Sequence, residues 1–167
     1  MARAMKDTNV PWIGKIPQNW KLVRVKDVSP VNRGASPRPI DDAIYFDDQG
    51  EYAWVRISDV SASTGFLEST TQRLSKLGEA KSVKRQPGDL FLSIAGTVGK
   101  ACITNIKACI HDGFVYFPRM NDQTTKSFFF YLFNSEAESF LIIGCTSSPL
   151  VLRVNTPTCA RIASPMF

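Results

Sequence analysis

The pattern of apolar and polar positions is organised around residues 88–100, GDLFLSIAGTVGK. Asp89-Leu90-Phe91-Leu92-Ser93-Ile94 is a short, mostly apolar run with Gly88 on one side and the Gly96/Gly99 pair on the other. A run that short, bounded by glycine at both ends, predicts a buried strand rather than a helix. Gly96-Thr97-Val98-Gly99 predicts a turn, because glycine reaches positive φ without a steric penalty. Ala101-Cys102-Ile103 then opens a second apolar run. The expectation is strand, glycine turn, strand, with Lys100 on the far side of the turn.

The rest of the chain reads around this hairpin. Residues 1–9 are polar and expected to fray. Residues 10–20 hold two prolines and two tryptophans, which forbids a regular helix and suits an extended arm pinned by the indoles. Residues 21–28 alternate as a half-buried strand would. Residues 32–39, NRGASPRP, form a loop with two cations, Arg33 and Arg38. Residues 45–51 are acidic and end in a Gln49-Gly50 turn. Trp54 and Val55 start a strand expected to run on to Val60, with Arg56 and Ser58 on one face and Val55 and Ile57 on the other. A turn follows at 61–65. The polar stretch 68–86 has room for one short helix near 71–77. Residues 108–117 read as a strand interrupted at His111-Asp112-Gly113. From Phe128 to Ile142 the apolar positions recur as in a helix, with Asn121 or Asp122 as its cap and Gly144 as its end. Residues 150–154 read as a short strand.

Composition narrows the class. At 167 residues, 44% hydrophobic and 21% charged, the chain has the length and core material of one domain, with residues 1–9 outside it. No apolar run approaches a membrane span, and residues 1–6 show no apolar segment of a secretory signal, so a cytoplasmic location is expected. Cys102, Cys109, Cys145 and Cys159 are scattered, without the paired spacing of a zinc or redox site.

Net charge is +5, unevenly spread. Residues 1–40 carry eight Lys/Arg against two Asp, residues 41–80 three against eight acidic, and residues 81–120 six against two. Clustered cations suit a polyanionic partner as well as a solvated surface. The glycine turn is not a phosphate loop: the Walker positions before and after Lys100 hold Ile94 and Ala101. His111 beside Asp-Gly reads as turn chemistry rather than catalysis.

The order of motifs identifies a resemblance. Ile16-Pro17 and Trp20 come first, then a glycine–proline loop at 34–37, then Trp54-Val55-Arg56-Ile57-Ser58-Asp59-Val60. Pro87-Gly88-Asp89-Leu90 and Ser93-Ile94-Ala95-Gly96-Thr97-Val98-Gly99-Lys100 follow, then an aromatic helix and a Gly144-Cys145-Thr146-Ser147 turn. In this order the chain resembles one target recognition domain of a type I restriction–modification specificity subunit. The resemblance covers roughly residues 10–165, and the tract 54–100 is its specific part. It implies an α+β domain, with a β-rich irregular body followed by a helical part. It also implies sequence-specific contact with one part of a bipartite site on double-stranded DNA. It implies no catalysis and no cofactor in this chain, the chemistry falling to partner methyltransferase (modification) and restriction subunits. Such subunits usually carry two recognition domains, each followed by a long spacer helix. The sequence shows one domain and no such helix, so a fragment, a truncated product or a half-subunit is expected.

The family's recurring motifs mostly build scaffold, and its variable loops read DNA. The candidate DNA-binding residues are therefore Arg33, Ser36 and Arg38 in the polar loop, and Arg73, Lys76, Lys81, Lys84 and Arg85 in the densest basic tract. Thr97 and Lys100 in the glycine turn complete the set, with Lys100 as a phosphate contact. Two other classes remain open. Asp59 with Glu79-Ala80-Lys81 offers the groups of a metal-dependent nuclease, although Glu79 stands in a polar stretch rather than on a strand. The aromatic helix at 128–133 offers a protein-interaction surface.

Overall fold

A computed structural model describes residues 4–9, 14–20, 28–120 and 123–135. They fall into two compact units. One is Val31–Pro118; the other takes its described residues from the chain on either side.

The Val31–Pro118 unit is built on two sheets. Its strands are β3 (Asn32–Arg33), β4 (Ala53–Val55), β5 (Phe66–Leu67), β6 (Gln72–Arg73), β7 (Val83–Arg85), β8 (Leu90–Ser93), β9 (Ala101–Thr104), β10 (Ala108–Ile110) and β11 (Phe114–Tyr116). Its helices are α1 (Ile57–Ala62) and α2 (Lys76–Ala80), with a 3₁₀ turn at Ala43–Tyr45. One sheet has the order β6-β4-β10-β7 and the other β3-β11-β8-β9-β5. Within the first, β4 and β10 are parallel (Cys109 opposite Trp54, Ile110 opposite Val55), and β5 and β9 are parallel in the second. The other pairings are antiparallel.

The expected hairpin forms as strand, turn, strand: Leu90 lies opposite Ile103, Phe91 opposite Cys102 and Leu92 opposite Ala101. Gly96 and Gly99 take φ of 63° and 93°, values that L side chains avoid, and the Gly99 N–H closes the turn on the Ser93 carbonyl at 2.8 Å.

Period-two alternation sorts the core. Val55 of β4, with Ala108 and Ile110 of β10, faces one cluster with Val60, Leu67, Phe91, Cys102 and Phe114. Phe91 and Phe114 meet edge to face at 5.3 Å. Their neighbours Trp54 and Cys109 point the other way, into a second cluster with Tyr52 and Leu74, against which Ile40 and Phe46 pack. Burial pushes the Cys102 and Cys109 thiols up to about 11 and about 12, so both stay protonated at neutral pH.

Several expectations need correcting. The strand begun at Trp54 ends at Val55, and Ile57–Ala62 is helical. The Asp59 carboxylate accepts the Arg56 N–H at 2.8 Å, closing the first turn of α1 as a cap does and outweighing the β-branched alternation. The short helix expected near 71–77 lies at Lys76–Ala80, started by Ser75, whose hydroxyl accepts from the Gly78 N–H. Gln72–Arg73 is instead a strand on β4. The interruption at 111–113 does more than break a strand, since β10 and β11 belong to different sheets.

In the other unit, residues 5–7 are ordered rather than frayed. They form β1 (Met5–Asp7), antiparallel to β2 (Lys15–Pro17), with Lys6 opposite Ile16. The aromatic helix is α3 (Gln123–Phe133). Trp20 meets Phe128 edge to face at 6.3 Å, and Phe129, Phe130 and Phe133 are buried. Three of its aromatics are thus core, against the interaction-surface alternative, while Tyr131 is 70% exposed. The expectations for 21–27, the cap at 121–122, the helix end beyond 135 and the strand at 150–154 lie outside the described residues. Among the described residues no helix is long and apolar enough to cross a membrane.

Candidate nucleic-acid interface

The parallel pair places two chain segments side by side at one end of the four-stranded sheet. Arg56 follows β4 directly, and His111-Asp112 follows β10 directly. The loop between β3 and the 3₁₀ turn lies across them. Together with Gln72 of β6 they line an open cleft of about 650 Å³, bounded by Ser36, Arg38, Asp41, Trp54, Arg56, Gln72, His111 and Asp112 among others.

Asp112 gathers the polar loop. Its carboxylate accepts from Ser36 Oγ at 2.8 Å and from Arg38 Nη2 at 2.9 Å, and its carbonyl accepts from Arg33 Nε. The Ser36 hydrogen bond, with the Arg38 charge adding, holds the Asp112 carboxyl below its usual range. The three loop residues picked from sequence therefore meet in space. Only Ser36 and Arg38 face the cleft, and the Arg38 side chain is 72% exposed.

His111 is fixed by its surroundings. Its Nδ1 accepts the Gly113 N–H at 2.8 Å, which leaves the proton of the neutral ring on Nε2. The ring packs against Phe114 at 4.7 Å and Trp54 at 5.9 Å. Burial holds its pKa below 6.5 and outweighs the nearby Asp112 carboxylate. With the ring neutral, the 3.7 Å approach of Nδ1 to Asp112 is not an ion pair at neutral pH. The consequence for stability has a definite sign. The unfolded chain takes up the proton near pH 6.5 and the folded chain takes it up lower, so the contribution is full above that pH and falls away below it. His111 is the chain's one histidine. We expect the urea midpoint to fall between pH 7.5 and 5.5, and His111→Gln to flatten that fall. An equal slope in both proteins would refute the assignment.

The basic tract is largely neutralised. Lys84 Nζ is 3.0 Å and Lys76 Nζ 3.4 Å from the buried Glu79 carboxylate. Lys76 also pairs with Glu51 at 3.1 Å, and Glu51 pairs with Lys107. These hydrogen bonds, Lys107 first and Lys76 second, lower the Glu51 carboxyl to about 2. Arg85 pairs with Asp89 at 3.5 Å and lies over the Tyr116 ring at 4.1 Å. Arg73 donates to the carbonyls of Gly50 and Glu51. Lys81 is exposed, 6.0 Å from the centre of the Tyr45 ring. The two groups that suggested a nuclease are occupied elsewhere, Glu79 by the lysines and Asp59 by the Arg56 main chain.

Lys100 and Thr97 are drawn to α1. Lys100 Nζ donates to the carbonyls of Ser61 at 3.0 Å and Ser63 at 2.7 Å, and the Thr97 and Ser61 hydroxyls are 2.6 Å apart. An ammonium there satisfies free carbonyls at a helix C-terminus. In this arrangement Lys100 ties the glycine turn to α1.

Arg56, Gln72 and Asp112 also line the cleft and were not among the candidates picked from sequence. Arg56 Nη2 donates to Gln72 Oε1 across β4 and β6. The available signal was the isolated cation directly after an aromatic strand, in a segment otherwise poor in positive charge.

The comparisons with known proteins agree with this architecture. Residues 17–149 match the family model described as the type I restriction modification DNA specificity domain. Among solved structures, the HsdS subunit from Thermoanaerobacter tengcongensis is similar with a TM-score of 0.60 at 19% identity, covering 88% of this chain and 36% of that one. A chain from a structural study of complex assembly and conformational transition of the type I R-M system matches with a TM-score of 0.58 at 18% identity, covering 88% of this chain and 37% of that one. At these identities the likeness concerns the fold, and this chain spans little more than a third of either match. The family match runs over well more than half of the 167 residues, and the chain belongs to the type I restriction modification DNA specificity domain family.

Proposed function

We propose that this chain is a non-catalytic DNA-reading module. In this reading it recognises one part of a bipartite duplex site and directs partner modification and restriction subunits to it. The observation that carries the reading is the cleft at the ends of β4 and β10, where Arg38, Arg56, Gln72 and the Nε2–H of His111 are offered together. Arginine forks and amides are the groups that address phosphates and base edges, and an open cleft admits a polymer that an enclosed cavity would exclude. Arg56, whose partner Gln72 is neutral, is the chief contact, and Arg38 adds less because Asp112 shares its charge. The lysines around Glu79 and Glu51 add little, since carboxylates already neutralise them.

The test is a fluorescence-anisotropy titration of labelled duplex DNA at several salt concentrations. Two to four neutralised phosphates give a slope of log K against log salt of about −2 to −4. The double variant Arg38→Ala/Arg56→Ala should make the slope shallower by about 1, whereas Lys76→Ala/Lys84→Ala should leave it nearly unchanged. Binding insensitive to salt, or carried mainly by the Lys76/Lys84 pair, would contradict this reading of the surface.

A further inference from the structure

We infer that Arg56 is a base-reading residue and Gln72 its positioning partner, and that together they select guanine at one position of the duplex. The inference deepens the DNA-reading proposal and rests on it.

The strand register makes the pair. Gln72 lies opposite Trp54 in the antiparallel pairing of β4 and β6. Arg56 is two residues beyond Trp54, so it shares the face of the Trp54 side chain and stands diagonal to Gln72. Trp54 is 3% exposed and closes the floor of the cleft beneath them. Arg56 itself is exposed.

Arg56 is held at both ends. Its main-chain N–H is fixed by Asp59 at 2.8 Å, and its Nη2 is fixed by the Gln72 carbonyl oxygen. A guanidinium has five N–H donors in a rigid planar fork. Taking one of them to Gln72 sets the plane of the fork and leaves the others for a ligand. A phosphate accepts a cation from many directions, so it gains little from a fixed plane. Bidentate contact to guanine O6 and N7 depends on that plane. A side chain ordered before binding also loses less rotamer freedom when the base arrives.

The chemistry of the partner sets Arg56 apart from the cations held by carboxylates. Arg38 and Arg85 lie on carboxylates, as do Lys76, Lys84 and Lys107, and their charge is offset in place. Gln72 is neutral: it orients Arg56 without cancelling its charge. Its own Nε2 group remains a donor beside the base that Arg56 addresses.

Selection from a randomised duplex library with the 167-residue chain tests the inference, followed by titrations on the enriched duplex and a scrambled one. The wild-type chain should enrich a motif with guanine at one position. Arg56→Lys and Arg56→Ala should lose preference at that position alone, with affinity for the enriched duplex down about 10-fold or more, and for the scrambled duplex down about 3-fold or less. Gln72→Ala should weaken the preference at that same position and no other, while Gln72→Glu, which keeps the fork oriented but offsets its charge, should retain the guanine and reduce the salt slope. Thermal midpoints near wild type are expected for the Arg56 variants, because the side chain is exposed. Equal loss on both duplexes would make Arg56 a phosphate contact and overturn the inference alone, as would an unchanged motif in Arg56→Ala. Failure of the wild-type chain to enrich any motif would overturn the DNA reading and this inference with it.

Discussion

Gly34→Ala is expected to unfold the Val31–Pro118 unit, or to lower its stability by about 3 kcal/mol or more. Gly34 lies where the chain passes between the two sheets. Its N–H donates to the Phe114 carbonyl at 2.9 Å, and the N–H of Ala35 donates to Ile110 at 3.2 Å. These bonds draw the loop onto the join between β10 and β11. A Cβ at residue 34 would overlap the His111 carbonyl oxygen and stand 2.7 Å from that of Ile110. Both obstacles are backbone, Ile110 held by strand pairing and His111 by the turn in which its carbonyl accepts the Phe114 N–H, and neither can swing aside as a side chain can. The displaced segments carry Ser36, Arg38, His111 and Asp112, so the cleft should be lost with the stability. Ser36→Ala, which removes one hydrogen bond to Asp112 and adds no atom, is the control and should cost about 1 kcal/mol. Urea unfolding followed by tryptophan fluorescence separates the two. A Gly34→Ala midpoint no lower than that of Ser36→Ala would show that the 34–35 segment does not join the sheets as described.

The same join shows why part of the architecture was legible in the sequence and part was not. The pair β8 and β9 could be read because glycine bounds each short apolar run, and those signals are local. The segment 54–60 could not be read by periodicity. Val55, Ile57 and the polar residues between them fit a strand, whereas the Asp59-to-Arg56 contact that starts α1 is a capping interaction spaced three residues apart. Arg33, Ser36 and Arg38 are near in sequence and meet at Asp112, 74 or more residues away, through a chain crossing that no local pattern encodes. The partners of the basic tract were hidden for the same reason. Lys76 looks like a free cation in its own segment, but Glu51, brought close by the turn before β4, takes its charge. Gln72 stood in a polar stretch without distinction until strand pairing set it across from Trp54.

Glu79→Lys is the second large effect expected, and it is informative beside Glu79→Gln. Ser75 starts α2 by accepting the Gly78 N–H, and the Glu79 N–H bonds the Ser75 carbonyl at 2.9 Å. This turn carries Glu79 inward until its side chain is only 1% exposed, with Lys84 Nζ at 3.0 Å and Lys76 Nζ at 3.4 Å. Lys84 also lies 4.6 Å from the centre of the Tyr52 ring. Glutamine keeps the shape and much of the hydrogen bonding. The lysine side chains are 76% and 43% exposed and can return to water, so the loss should be about 1–2 kcal/mol. Lysine at 79 instead buries a third ammonium between two others, with neither a counter-charge nor a route to solvent. That should cost about 4 kcal/mol or more and leave little folded protein. Denaturant midpoints of the two variants give the comparison. A Glu79→Lys protein as stable as Glu79→Gln would mean that residue 79 reaches solvent and that the lysines around it form a surface ion-pair cluster. Lys76 and Lys84 would then be free to serve the duplex, and the proposed division between neutralised lysines and a DNA-reading Arg56 would fail with it.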